Sequence, residues 1–143
     1  MLTDDYLQKL HSRMYGEVWA WAGTYRQRQI NLGVEPHRIR IELRHLFGDA
    51  RAWLAHNTYP PREIAIRLHH RVALIHPFSN GNGRHARTLA DMVLIRHFKA
   101  APLSWGGGIA SQGGAREAYL DAMRAADRHD IRPLLAFAAS GQT

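Results

Sequence analysis

Apolar residues recur along most of this chain at helical spacing, and the rhythm divides it into segments. Tyr6, Leu7, Leu10, Met14, Val18 and Trp21 share one face of a helix predicted over 3–20, with Thr3 placed to cap it. The stretch "WAGTYR" (21–26) breaks that helix at Gly23. Residues 26–41 keep a different rhythm. Ile30 and Leu32 alternate with polar neighbours, "GVEP" reads as a turn, and Ile39 and Ile41 alternate again, which predicts a short β-hairpin. Helical spacing returns over roughly 40–56, where Leu43, Leu46, Phe47, Ala50, Trp53 and Leu54 point inward. A third helix follows "NTYPP" with Pro61 in its first turn, and carries Ile64, Ala65, Leu68, Val72 and Ile75. Pro77 disfavours helical geometry at His76, so this helix ends there. A fourth begins near Gly83 and presents Ala86, Leu89, Ala90, Val93 and Leu94. A glycine-rich loop (104–114), a fifth helix from about 115 to 127 and a short last one in "IRPLLAFAAS" complete the chain. The pattern predicts one mainly α domain over 1–143, a helical bundle with one β-hairpin.

Composition narrows the function classes. With 45% apolar and 22% charged residues, 143 residues suffice to bury one core. No stretch approaches the ~18 consecutive apolar residues of a membrane span. The acidic start "MLTDDYLQKL" lacks the apolar core of a secretory signal. The absence of cysteine excludes disulfides and thiol catalysis and fits a cytoplasmic protein. The net charge of +7 is carried almost entirely by arginine, the only lysines being Lys9 and Lys99. Arginine suits bidentate phosphate recognition. The charge permits a nucleic-acid partner, but no basic run, zinc pattern or helix-turn-helix signature supports one.

Candidate chemistry concentrates in "HPFSNGNGRHAR" (76–87). Gly81 and Gly83 admit backbone torsions that aim successive N–H groups into one concavity. The helix that follows adds unpaired N–H groups and the positive end of its dipole, a ready anion site. Arg84 and Arg87, one turn apart, project from the same side of that first turn. Asn82 has an amide to donate into the same space. His76, at the loop's other edge, titrates near neutrality and can take a proton from a hydroxyl nucleophile. Phe78, apolar inside a polar loop, reads as a plug into the core. The same residues also fit an ordinary glycine turn with a histidine at a helix C-terminus, and physics alone leaves the two readings open.

The stretch resembles the Fic signature HPFx(D/E)GNGRxxR and matches it at every specified position except Asn80. "MYGEVWAWAGTYR" (14–26) is similar to the segment that precedes the Fic flap, and "AREAYLDAMRAADRHDIRPLLAFA" (115–138) to the family's C-terminal helices. The variant "NGNGRHAR", with "HNTYPP" upstream, is most similar to the subgroup called mobile mystery protein B. The resemblance implies a helical Fic fold with a hairpin flap, and protein adenylylation: AMP passes from ATP to a Ser, Thr or Tyr hydroxyl of a target protein and pyrophosphate leaves. It implies that His76 is the base. Gly81, Asn82 and Gly83 form the hole for the α-phosphate. Arg84 and Arg87 hold the β- and γ-phosphates, and Tyr119 flanks the adenine, against the alternative of a core tyrosine. It also implies that Ile30, Asn31, Leu32, Gly33 and Val34, in the flap near 28–40, clamp the target by adding it as a strand.

Position 80 of the family pattern is a carboxylate that binds Mg²⁺. Asn80 offers a neutral and weaker oxygen, so the expectation is weak metal recruitment rather than a dead site. The family's inhibitory pattern (S/T)xxxE(G/N) is absent from the sequence. Inhibition is then expected from a separate antitoxin-like protein, or from a region outside this chain, since Met1 lies close to the first family-like segment. Three rival readings are a Doc-like phosphotransferase, a weakened nucleotide-binding module and a nucleic-acid binder. Gly83 and Arg87, which Doc-type relatives lack, favour adenylylation over the first. Among other candidates, Asp91 stands one turn beyond Arg87 and is placed to orient it by an ion pair. His69 and His76 share a helix face without a third metal ligand, and His69 is expected to pack or hydrogen-bond beneath the site. His70, His85 and His97 draw no role. Trp19, Trp21 and Trp53 are expected in the core, and "WGGG" (105–108) is either a close approach to the nucleotide base or a connector.

Overall fold

The computed structural model describes residues 2–107 and 113–140. Six helices account for most of it: α1 (Asp4–Tyr15), α2 (Ile39–His56), α3 (Pro61–Ile75), α4 (Asn82–Arg96), α5 (Gly113–Asp127) and α6 (Arg132–Ala139). Short 3-10 turns stand at Pro36–Arg38 and Trp105–Gly107. Residues 108–112 of the glycine-rich loop, including Gly108 of "WGGG", lie outside the described residues.

The punctuation of these helices follows their residues. Thr3 caps α1 by accepting the Tyr6 N–H at 3.1 Å. Asn57 ends α2 in the left-handed conformation (φ 50°), which asparagine tolerates. Pro61 opens α3 and Pro77 stops it. α3 and α4 form the centre, packed against one another and buried on two sides. On one side Leu68 and Val72 of α3 and Ala86, Leu89 and Val93 of α4 meet Leu7 of α1 and Leu43, Leu46 and Phe47 of α2. On the other, Ala65, Ile66, Ala90 and Leu94 meet Trp105, Tyr119, Leu134 and Phe137. The loop between α3 and α4 is thereby held at one end of the molecule's most buried helix pair.

Two expectations are corrected. α1 ends at Tyr15 rather than running to residue 20. The chain turns there: the Gly16 N–H closes on Ser12 O at 2.7 Å, and the N–H groups of Val18 and Trp19 both bond Tyr15 O at 2.9 Å. Val18 therefore falls off the inward face and is 69% exposed. Trp19, expected in the core, stacks part-exposed between Tyr15 and Trp21, with centroids 4.7 Å from each.

The second correction concerns the β-hairpin of 26–41. No strand occurs among the described residues. The backbone groups that would pair across a hairpin are engaged elsewhere. The Arg26 N–H bonds Pro77 O at 2.9 Å and the Val34 N–H bonds Ile75 O at 3.2 Å. The carbonyls of Arg28 and Val34 accept from the Arg26 side chain. A lone two-stranded ribbon is marginal in water; here residues 26–34 are tied to the end of α3 instead, and Ile39 and Ile41 belong to the first turn of α2.

Candidate active site at the loop between α3 and α4

His76 caps α3 in the left-handed conformation (φ 56°, ψ 63°), with its N–H on Val72 O at 3.0 Å. Burial lowers its imidazole pKa below the ordinary 6.5, partly offset by a hydrogen bond to the Ala73 carbonyl and reinforced by the Arg26 charge. The ring is half-buried and predominantly neutral near pH 7, so a lone pair is available for a proton.

Between His76 and α4 the loop is pinned from inside. Phe78 is fully buried and stacks on the His11 ring at 3.8 Å, an anchorage that contributes about 1.5–3 kcal/mol. The side chain of Asn82, expected to donate toward a ligand, is buried and closes on the loop itself. Its Oδ1 accepts the Phe78 N–H at 2.8 Å and its Nδ2 donates to Phe78 O at 2.7 Å. The Asn82 side chain thus shapes the loop, and the backbone N–H groups of Asn82, Gly83 and Arg84, in the first turn of α4, have no partner within the helix. Gly81 precedes them at φ 77°, and a Cβ there would sit 2.5 Å from the Tyr15 ring, so only glycine fits.

Asn80 is exposed and its Oδ1 accepts the Gly81 N–H at 2.7 Å, while its carbonyl accepts from His11. Arg84 is exposed at the first turn of α4. Arg87, one turn on, is half-buried over the Tyr119 ring, 5.3 Å from its centroid. Tyr119 is only 7% exposed and its hydroxyl lies 2.8 Å from His69 Nε2. It supports Arg87 from beneath rather than offering an open face to a base. His69 lies fully buried under the site, its pKa driven down to about 3 mainly by burial, and it stays neutral. Asp91 does not pair with Arg87. It accepts the Leu103 N–H at 3.0 Å and the Trp105 indole N–H at 3.1 Å, which pins the chain leaving α4.

The segment expected to clamp a target borders His76. Gly33 lies so close that a Cβ would fall 2.6 Å from His76 Cβ, and Leu32 beside it is 64% exposed. Ile30 and Val34 are half-buried and Asn31 is exposed. Sequence reasoning gave no role to His11, Tyr15 or Arg26, each of which meets the loop or the His76 turn. All three lie in or beside "MYGEVWAWAGTYR", and that is the signal that could have found them. A separate cleft of about 530 Å³ is lined by Trp53, Arg67, His70, Leu74, Asp127 and Ile131 among others, none of them from the loop.

A neutral histidine at the end of α3 and two arginines on the first turns of α4 flank one loop, an arrangement suited to holding a phosphate group. The chain belongs to the Fic/DOC family, whose model matches residues 1–94. It is 30% identical over 139 residues to the protein adenylyltransferase Fic of Aedes aegypti, covering 92% of this chain and 26% of that protein. It is 29% identical to the protein adenylyltransferase fic-1 of Caenorhabditis elegans, covering 95% and 26%. The chain thus spans about a quarter of the length of these relatives. Among solved structures, Fic-1 of C. elegans superposes with a TM-score of 0.76 at 27% identity, covering 96% of this chain and 39% of that one. A Fic-domain protein of Bacteroides thetaiotaomicron gives 0.79 at 21%, covering 96% and 58%, a likeness of fold.

Proposed function

We propose that this chain transfers AMP from ATP to a Ser, Thr or Tyr hydroxyl of a target protein and releases pyrophosphate. The observation that carries the reading is a neutral, half-buried His76 set beside the N–H-rich start of α4 with Arg84 and Arg87. The acceptor oxygen attacks the α-phosphorus and a new O–P bond forms. The bond from that phosphorus to the oxygen bridging to the β-phosphate breaks, and pyrophosphate departs with the electron pair. The hydroxyl proton passes to the His76 imidazole. Charge growing on the α-phosphate is met by the N–H groups of Asn82 and Gly83, joined by that of Arg84 in place of the Gly81 N–H, which donates to Asn80 Oδ1. Arg84 and Arg87 hold the leaving phosphates, Arg87 from its seat over Tyr119. The naming of relatives as protein adenylyltransferases supports the same reaction.

Magnesium does not fit as a resident ion of this chain. Asn80 brings one neutral oxygen, already accepting the Gly81 N–H, where a hard dication takes charged oxygens. Among the described residues no group of three or more His, Asp or Glu is gathered to hold a metal. Mg²⁺ in this reaction is read as part of the nucleotide substrate.

The target segment is read as lying against Ile30, Asn31, Leu32, Gly33 and Val34, beside His76, where Leu32 stands exposed. Inhibition is assigned to a separate antitoxin-like protein, and the "NGNGRHAR" variant with "HNTYPP" upstream supports reading the chain as one of the mobile mystery protein B subgroup. Among the described residues no helix is long and apolar enough to cross a membrane.

Lysate protein incubated with this chain and ATP, labelled at either the α- or the γ-phosphate, tests the reaction. AMP transfer leaves α-label and no γ-label on a target, and His76→Ala abolishes it. Label from the γ-phosphate alone would make the chain a phosphotransferase. Equal labelling by His76→Ala, or none by wild type, ends the enzymatic reading.

A further inference from the structure

Arg26 is 4% exposed and carries a guanidinium into the protein with no carboxylate within ion-pair distance among the described residues. Burial lowers its pKa, yet an arginine remains charged throughout the working range. A buried charge demands full hydrogen bonding. Arg26 meets that demand with carbonyl oxygens alone. Its Nε–H donates to His76 O at 2.6 Å and its Nη1 to Arg28 O at 3.1 Å. Its Nη2 donates to Val34 O and, at 3.3 Å, to Ile75 O. The carbonyls of Ile75 and His76 stand at the negative end of α3, where no intrahelical N–H reaches them. Those of Arg28 and Val34 bracket the segment read as the target clamp. The backbone of Arg26 adds a fifth tie, its N–H on Pro77 O at 2.9 Å.

His76 itself needs such a hold. Its left-handed torsions are uncommon for a residue with a side chain and persist only where neighbours enforce them. Gly33 completes the enclosure: a Cβ there would meet Arg26 Nη2 at 2.6 Å, His76 Cβ at 2.6 Å and Ile75 O at 2.7 Å. The His76 turn, the end of α3 and both ends of the 28–34 segment therefore close on one planar cation, whose fork supplies donors in fixed directions.

We infer that Arg26 is the positioning residue of this site, setting the orientation of the His76 base and the seat of the target-binding segment as one unit. This rests on the adenylyl-transfer reading for its kinetic consequence, but the geometry it predicts is separable from it. Arg26 touches no part of the α4 nest, so its role bears on the proton acceptor and the acceptor segment, and not on nucleotide binding. A lysine keeps the charge but has neither the plane nor the reach to serve four carbonyls.

The test pairs Arg26→Lys with Gly33→Ala, which leaves Arg26 in place and pushes on it and on His76. The readouts are helical circular dichroism, affinity for a non-hydrolysable ATP analogue, the transfer rate, and the NMR signals of the His76 ring. Both variants are expected to keep nucleotide affinity, to lose transfer by about 100-fold, the scale of a displaced general base, and to shift the His76 signals. Unchanged His76 signals in either folded variant overturn the inference. So does a loss of nucleotide affinity that tracks the loss of rate, because that marks general loosening. If Arg26→Lys does not fold, Gly33→Ala carries the same decision. The NMR arm needs no turnover. A wild type that labels nothing therefore ends the enzymatic reading while the positioning of His76 is still decided.

Discussion

His11 and Asn80 are joined by a 3.0 Å hydrogen bond that spans 69 residues of chain. The Gly23 N–H donates to His11 Nδ1 at 2.9 Å, so that nitrogen is bare, and Nε2 carries the proton it gives to the Asn80 carbonyl. The neutral ring is thus a spacer between the turn after α1 and the loop that precedes α4. His11→Phe keeps the stack on Phe78 and removes both bonds. The expected cost is about 1–3 kcal/mol, since a backbone donor and an acceptor are left unmet. It is to be read as a lower urea midpoint with an unchanged slope. An unchanged midpoint would show that the bridge contributes nothing to the fold.

The buried histidines make stability fall with acid. His11, His69 and His85 are all held below the ordinary 6.5, chiefly by burial, His85 at about 4 and His69 at about 3. An unfolded chain protonates them near 6.5 while the folded chain does not. Their stabilising contribution is complete above 6.5 and is lost as pH falls toward those folded values, by about 1.4 kcal/mol per pH unit for each group inside its window. Asp91 acts in the opposite sense, because burial raises its carboxyl, but it is one group against three. The melting temperature is expected to drop between about pH 7 and about pH 5, where histidines titrate. A flat profile there would mean that these rings are hydrated. His76 shifts the same way, so transfer is expected to lose rate on the acid side with a midpoint below 6.5.

Much of this architecture is legible in the sequence, for identifiable reasons. α2, α3 and α4 repeat their apolar positions over several turns, Pro61 and Pro77 mark the ends of α3, and Gly83 lies one residue from the start of α4, so His76 and the arginine pair Arg84 and Arg87 fall on either side of the loop where the pattern puts them. The exit from α1 is not legible, because Val18 and Trp21 continue the helical spacing past a turn made by backbone bonds to Tyr15. Nor is the course of residues 26–35, whose alternation suggests strands while their hydrogen bonds go to the end of α3. His11 and Arg26 escape sequence reasoning because their partners are backbone groups far along the chain. Polar residues of this kind look like surface until the fold surrounds them.

Tyr119 meets both His69 and Arg87, and two substitutions tell these contacts apart. Tyr119→Phe keeps the ring under Arg87 but strips the partner from His69 Nε2, whose other ring nitrogen is already buried without one. The expected cost is about 1–3 kcal/mol of stability with little change in nucleotide affinity. Tyr119→Leu also removes the aromatic face that seats the guanidinium. It is expected to weaken binding of a non-hydrolysable ATP analogue by a further ~1 kcal/mol or more. Calorimetry of unfolding and of nucleotide binding on the two variants decides the matter. Equal affinities for Phe and Leu would mean that Arg87 needs no support from the ring.

Asn80 is where this loop departs from the family pattern, and its consequence can be measured. Its neutral amide folds back on Gly81 and leaves the nest without a fixed negative charge. Asn80→Asp puts a carboxylate in the same place. Without Mg²⁺ that charge opposes the triphosphate, and the analogue is expected to bind about 1 kcal/mol, or roughly five-fold, more weakly than to wild type. With Mg²⁺ the carboxylate becomes the charged oxygen that a hard dication prefers, and binding is expected to recover to the wild-type level or beyond. Wild type, with its amide, should respond to Mg²⁺ less than the variant does. The same Mg²⁺ response in both proteins would show that position 80 does not meet the nucleotide's metal.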